Sequence, residues 1–178
     1  MPEIITLDSY DEYSLIADPR VDGEGSLWQS GNINERIYQL PAPLFVVQMI
    51  REHCDHKAVH NEFKTIIGVL ALGMDDAPDT ILPNNEYLAA VETVIGYLRS
   101  GFNVLIHCGM GISRSSYLIL GVLIRHWHMP YDQAIAHLQI RRPVAAPNAG
   151  FAEHVRSLEG QLAQNIDALH IPLSCASE

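Results

Sequence analysis

The sequence is poor in cysteine, in basic residues and in long apolar runs, and each shortage excludes something. Cys54, Cys108 and Cys175 are the only thiols among 178 residues. An odd, widely spaced set without a C-x-x-C pair is neither a disulfide framework nor a structural zinc motif, so a reducing compartment is expected. The longest apolar stretch, Tyr117 to Ile124, has eight residues, against the roughly 18 needed to span a bilayer. The opening M-P-E-I-I-T-L-D-S-Y has no basic start and no apolar core of a signal peptide. These features predict a soluble, cytoplasmic protein with no membrane partner. Lys plus Arg is 11 against 21 Asp plus Glu, a net charge of −10. So acidic a body carries no electrostatic footprint for nucleic acid, and any anion must be held by a local device.

What is present is a globular composition. Apolar residues make up 48% and charged residues 18%, and the length suits one domain with one core. Residues 1–26 hold seven acids against Arg20 and read as an acidic leader lying on the domain or partly loose. Residues 27–165 read as the domain and 166–178 as a tail. Leu27–Ser30, Phe45–Ile50, Thr65–Ala71 and Val104–Ile106 are compact apolar runs that suit buried strands. Helical periodicity follows Pro83, with Asn84 or Asn85 as cap and Gly101 in the left-handed closing position. A second helix starts near Ser113 and is apolar almost all round, hence central. A third covers Asp132 to Ile140, and a fourth is capped by Asn148, with Phe151, Val155, Leu158 and Leu162 on one stripe. Alternating strands and helices predict an α/β fold: a single domain with a central, mostly parallel sheet of four to five strands flanked by helices.

One stretch is not explained by core building: Val104-Leu105-Ile106-His107-Cys108-Gly109-Met110-Gly111-Ile112-Ser113-Arg114-Ser115-Ser116. A buried strand runs through a tight glycine-bearing loop into a hydrophobic helix. Such a turn aims successive backbone N–H groups inward as an anion nest above a helix N-terminus. A cysteine at the strand end, in that field, favours its thiolate form. Arg114 adds a planar fork suited to two oxygens of a phosphoryl group.

The pattern H-C-x-x-G-x-S-R-S resembles the signature loop of the cysteine-dependent protein tyrosine phosphatases, in the atypical dual-specificity branch. Asp76-Ala77-Pro78-Asp79 lies 32 residues before Cys108, near the branch's general-acid aspartate. Arg142-Pro143 and Pro147-Asn148-Ala149-Gly150-Phe151 look like its closing R-P…P-N-x-G-F segment, and L-W-Q-S-G at Leu27–Gly31 resembles an opening strand of small atypical members. The resemblance implies roles. Cys108 is the nucleophile and forms a phosphocysteine; Gly109, Met110, Gly111, Ile112, Ser113 and Arg114 bind phosphate. Asp76 is the general acid and base, with Asp75 and Asp79 as rival carboxylates. Ser115 bonds the cysteine sulfur. His107 orients the loop through backbone hydrogen bonds, and Asn148, a helix cap, adds a supporting contact. No metal and no cofactor is implied.

The expected function is hydrolysis of phosphotyrosine and phosphoserine/threonine monoesters in phosphorylated proteins or peptides. No long tyrosine-recognition loop is visible, and positions 109–113 hold no Lys or Arg, which argues against phosphoinositide and RNA 5′-phosphate substrates. The rivals are a phosphatase of a non-protein phosphate monoester and a catalytically silent phosphoprotein-binding module. His53, His56 and His60 sit at i, i+3 and i+7, metal-ligand spacing on a helix, but the run is polar and charge-flanked and reads as an exposed face. Cys54 reads as structural or exposed, with a secondary chance of pairing with oxidised Cys108.

Overall fold

The computed structural model describes residues 12–51 and 66–164. Cys54, Cys175 and the His53/His56/His60 run lie outside the described residues, as do residues 1–11 of the leader and the whole tail. Five strands form one sheet: β1 (Ser14–Ala17), β2 (Leu27–Ser30), β3 (Leu44–Ile50), β4 (Ile66–Met74) and β5 (Asn103–His107). Their order is β1-β2-β5-β3-β4, with β1 antiparallel to β2 and every other pair parallel. Among the described residues four α-helices follow or intervene: α1 (Asn84–Arg99), α2 (Arg114–Trp127), α3 (Tyr131–Arg141) and α4 (Ala149–Leu162). This is the expected single-domain α/β architecture.

The central strands explain their own composition. β5 and β3 have neighbours on both sides and are buried along their whole length, so they are mostly apolar without a strict alternation. One face of the sheet carries the main core, which draws residues from all four helices. Its centre is α2, where Tyr117, Leu118, Ile119, Leu120, Val122 and Leu123 are all fully buried. The opposite face carries a smaller cluster around Ile37, Leu44, Val46 and Leu105, under a 3-10 turn at Glu35–Gln39. Among the described residues the α-helices therefore flank one face only.

Two helix ends follow the sequence and one departs from it. Gly101 closes α1 at φ +84°, with its own N–H bonded to Leu98 O and the Phe102 N–H to Tyr97 O, the paired bonds of a Schellman stop. Asn148 Oδ1 accepts from Phe151 N at 3.0 Å and caps α4. Neither Asn84 nor Asn85 caps α1: Pro83 holds that position without a side-chain bond. Asn84 Oδ1 instead pairs with His154 Nε2 at 2.9 Å, joining the start of α1 to α4.

The larger departure lies in the acidic leader. Ser14–Ala17 is a strand of the sheet, paired with β2, and Ile16 is fully buried in the main core. Four residues are too few to show a period, and the surrounding acids conceal the burial of S-L-I-A. Ile16→Ala should therefore lower the unfolding free energy by about 2–5 kcal/mol, the usual cost of truncating a core side chain. Urea unfolding measures it; a leader merely resting on the domain would leave the midpoint unchanged.

Candidate active site

Parallel registry brings Ser30, His107 and Gln48 side by side at the carboxyl ends of β2, β5 and β3. Ligands of open α/β sheets bind at that edge, and there the chain leaves β5 for the loop 108–113 before entering α2. The carbonyls of residues 109 to 112 in this loop are all engaged on their outer side. Gly109 O accepts from Asn32 N at 3.1 Å, and Ile112 O from Ala146 N at 2.9 Å and Ser116 Oγ at 2.5 Å. Gly111 O accepts from Arg142 Nε at 2.7 Å and Gln29 Nε2 at 3.1 Å, and Met110 O from Arg142 Nη2 at 3.2 Å. A trans peptide is planar, with its carbonyl and the following N–H on opposite sides. Four outward carbonyls therefore turn the amides of Met110, Gly111, Ile112 and Ser113 the other way, into the concavity of the loop. That is an anion nest, and it is continuous with the N-terminus of the 14-residue helix α2.

Three side chains that can do chemistry meet at this nest. Cys108 is 2% exposed, and its Sγ lies 3.4 Å from Ser115 Oγ. The guanidinium of Arg114 folds back over the loop: a β-carbon on Gly109 would sit 3.3 Å from Nη2. Nη1 donates to the carbonyl of Met74, the last residue of β4, at 3.1 Å. Asp76 follows two residues later in the chain. Its Oδ1 accepts from Ser113 Oγ at 2.6 Å and Asn148 Nδ2 at 2.9 Å, while Oδ2 lies 4.0 Å from Arg114 Nε.

Of the three candidate carboxylates, the structure brings only Asp76 to the loop. Asp75 faces Arg51 at 3.9 Å in a solvated pair, and Asp79 is exposed. The segment carrying Asp76 is fastened at two places. The single hydroxyl hydrogen of Thr80 is shared between the carbonyls of Asp75 at 2.6 Å and Ala77 at 2.8 Å. Gly150, in the first turn of α4, lies under Pro78 so closely that a β-carbon there would be 1.9 Å from Pro78 O. Asn148 ties the arrangement together: besides capping α4 and reaching Asp76, it donates its backbone N–H to Ser113 Oγ at 3.0 Å.

Sequence reading missed two anchors. Gln29, fully buried on β2, lies under the loop and was visible only as an amide inside an apolar strand. Arg142 is 2% exposed, and its Nη1 donates to Glu12 O at 2.9 Å and Ser14 Oγ at 3.1 Å. One guanidinium thus joins the loop carbonyls to β1, so residues 12–14 support the site. The R-P pair had pointed to that position without its role.

His107 is buried beneath the loop, and neither ring nitrogen makes a well-formed hydrogen bond among the described residues. The backbone groups nearest the imidazole for the expected orienting contacts are those of Cys108 and Gly31. Burial pushes the imidazole pKa down to about 4, an effect only partly offset by the nearby backbone of Cys108 and Gly31. Between about 6.5 and that value the unfolded chain binds the extra proton. The stability associated with neutral His107 is complete above that window and drains away as the pH falls through it. Unfolding by urea at pH 7 and at pH 4.5 should show a wild-type loss exceeding that of His107→Asn by about 2–3 kcal/mol; equal losses would contradict it.

Comparison with known proteins gives a family match. Residues 44–161 match the family model described as the dual specificity phosphatase catalytic domain. Dual specificity protein phosphatase 1 of Arabidopsis thaliana is 43% identical over 61 residues, which are 34% of this chain and 31% of that protein. The protein phosphatase Slingshot homolog of Xenopus laevis is 28% identical over 139 residues, 78% of this chain and 19% of that one. The chain thus spans under a third of the length of these two relatives. Among solved structures, a variant form of human DUSP28 superposes with a TM-score of 0.68 at 21% identity, covering 84% of this chain and 95% of the other. Among the described residues no helix is long and apolar enough to cross a membrane.

Proposed function

The chain belongs to the dual-specificity phosphatase catalytic-domain family, and on that premise we propose that it hydrolyses phosphate monoesters of phosphorylated proteins through a phosphocysteine on Cys108. The observation that carries this is the nest itself: four inward amides, with a buried cysteine at one end, Arg114 across the mouth and Asp76 beside it.

In the first step the Cys108 thiolate attacks phosphorus in line with the ester oxygen. The phosphorus–oxygen bond breaks, and protonated Asp76 gives its proton to the departing phenolate or alkoxide. Oδ1 of Asp76 already accepts from Ser113 and Asn148, so the transferable proton belongs on Oδ2, the oxygen on the Arg114 side. The three equatorial oxygens gather charge in the transition state. They meet the amides of the loop from Gly109 to Arg114 and the guanidinium of Arg114, which are oriented before the reaction begins. In the second step Asp76 takes a proton from water, the water oxygen bonds to phosphorus, and the phosphorus–sulfur bond breaks. Its electron pair returns to Cys108 and inorganic phosphate leaves. The Ser115 hydroxyl beside the sulfur eases that departure. The loop itself supplies the positive field, so the steps call for no metal.

Protein substrates of both kinds, tyrosine and serine/threonine, suit this chemistry because the loop recognises the phosphoryl group rather than its carrier. Hydrolysis of p-nitrophenyl phosphate should persist in EDTA and disappear in Cys108→Ser; full activity in that variant rules the mechanism out. Asp76→Ala should lose about 10²–10⁴-fold in kcat on an alkyl phosphate, whose leaving group needs a proton. Asn148→Ala, which removes a donor to Asp76 and the cap of α4, should lower activity on the alkyl ester more than on p-nitrophenyl phosphate. A loss equal on both esters would show that Asn148 does not act through the acid.

A further inference from the structure

We propose that Gln29 is a positioning residue that aims the hydroxyl proton of Ser115 at the sulfur of Cys108, an inference resting on Cys108 being the nucleophile. Gln29 is fully buried on β2, as are Ser115 and Ser116 in the first turn of α2. One end of its carboxamide lies 3.1 Å from Gly111 O, 2.8 Å from Ser115 Oγ and 3.0 Å from Ser116 Oγ. Chemistry decides which end that is. The Gly111 carbonyl can only accept. Ser116 has already given its single hydrogen to Ile112 O at 2.5 Å and can only accept from Gln29. The group facing them is therefore the NH₂.

The NH₂ has two hydrogens for these three acceptors: Ser115 Oγ, at the shortest distance, takes one, and Gly111 O and Ser116 Oγ share the other, so the hydrogen of Ser115 must point elsewhere. Two destinations exist. One is Cys108 Sγ at 3.4 Å, which as a thiolate can only accept. The other is the carbonyl four residues back, the bond that serines in a first helical turn readily make and that Ser116 does make to Ile112. For Ser115 that carbonyl is Gly111 O, and it is occupied: Arg142 Nε donates to it at 2.7 Å and Gln29 at 3.1 Å. Gln29 therefore both donates to a lone pair of Ser115 and helps close the competing destination. The hydroxyl is left aimed at sulfur before the phosphorus–sulfur bond breaks, when the returning electron pair most needs a donor.

Packing does not account for this amide. Gln29 Oε1 is buried with no hydrogen-bond partner among the described residues, and an unmatched buried acceptor destabilises a fold relative to an apolar side chain of similar shape. Leucine at position 29 would remove that defect, yet it would free Ser115 to turn back on Gly111.

The test is Gln29→Leu, made in the wild type and in Ser115→Ala, with p-nitrophenyl phosphate followed by rapid mixing. Gln29→Leu should keep or raise the melting temperature. Its kcat should fall about 3- to 10-fold, the worth of one hydrogen bond, with KM falling in parallel and a burst of nitrophenolate preceding the steady state. In the Ser115→Ala background the same change should have less than about a twofold effect, because the two residues act as one unit. An equal loss in both backgrounds, a fall in kcat/KM without a burst, or kinetics identical to wild type would each overturn the role of Gln29. Gln29→Met serves as the second variant should leucine fail to fold. Turnover surviving Cys108→Ser would sink the nucleophile reading itself, an outcome distinct from any of these.

Discussion

The site depends on one constraint: the backbone carbonyls of residues 109 to 112 are all held from behind. Asn32, Arg142, Gln29, Ser116 and Ala146 supply the donors, and peptide planarity converts their outward pull into inward amides. An anion nest needs no net positive charge, so a chain of charge −10 can still carry an anion site. The amides also cost no reorganisation when charge develops, because their orientation is maintained by buried bonds rather than by the ligand.

Those donors come from across the fold. Gln29 belongs to β2, Asn32 to the segment after it, Arg142 to the end of α3, Ala146 to the stretch before α4, and Arg142 is in turn fixed to residues 12 and 14. Asp76 is supported in the same manner, by Ser113 from the loop, Asn148 from the cap of α4 and the close seat of Pro78 on Gly150. Sheet, helices and site are consequently one structure, and damage to the buried frame reaches the chemistry through the direction of a few N–H groups.

The legible parts of this arrangement were those encoded locally. The loop between β5 and α2, its cysteine, arginine and serine, the Asn148 cap and the Gly101 stop each show within a few adjacent residues. Among the described residues, four of the five strands and the four α-helices could be read from apolar runs and helical period. What could not be read depends on contacts distant in sequence. The burial of Ile16 arises from pairing with β2 and packing on the core. The partner of Asn84 is 70 residues away, and Gln29 reaches Ser115 across 86. Which of Asp75, Asp76 and Asp79 meets the loop is set by how β4 ends against α4, which no local pattern carries.

The central claim is that sulfur at the floor of this nest takes the phosphoryl group. Its most direct test is to mix the Asp76→Ala protein with p-nitrophenyl phosphate, quench in acid within the first turnover, and map the modified peptide by mass spectrometry. The account predicts one phosphoryl group on the peptide containing Cys108, held by a linkage that mild iodine treatment cleaves. A protein that releases nitrophenolate while remaining unmodified, or carries the group on another residue, would contradict it.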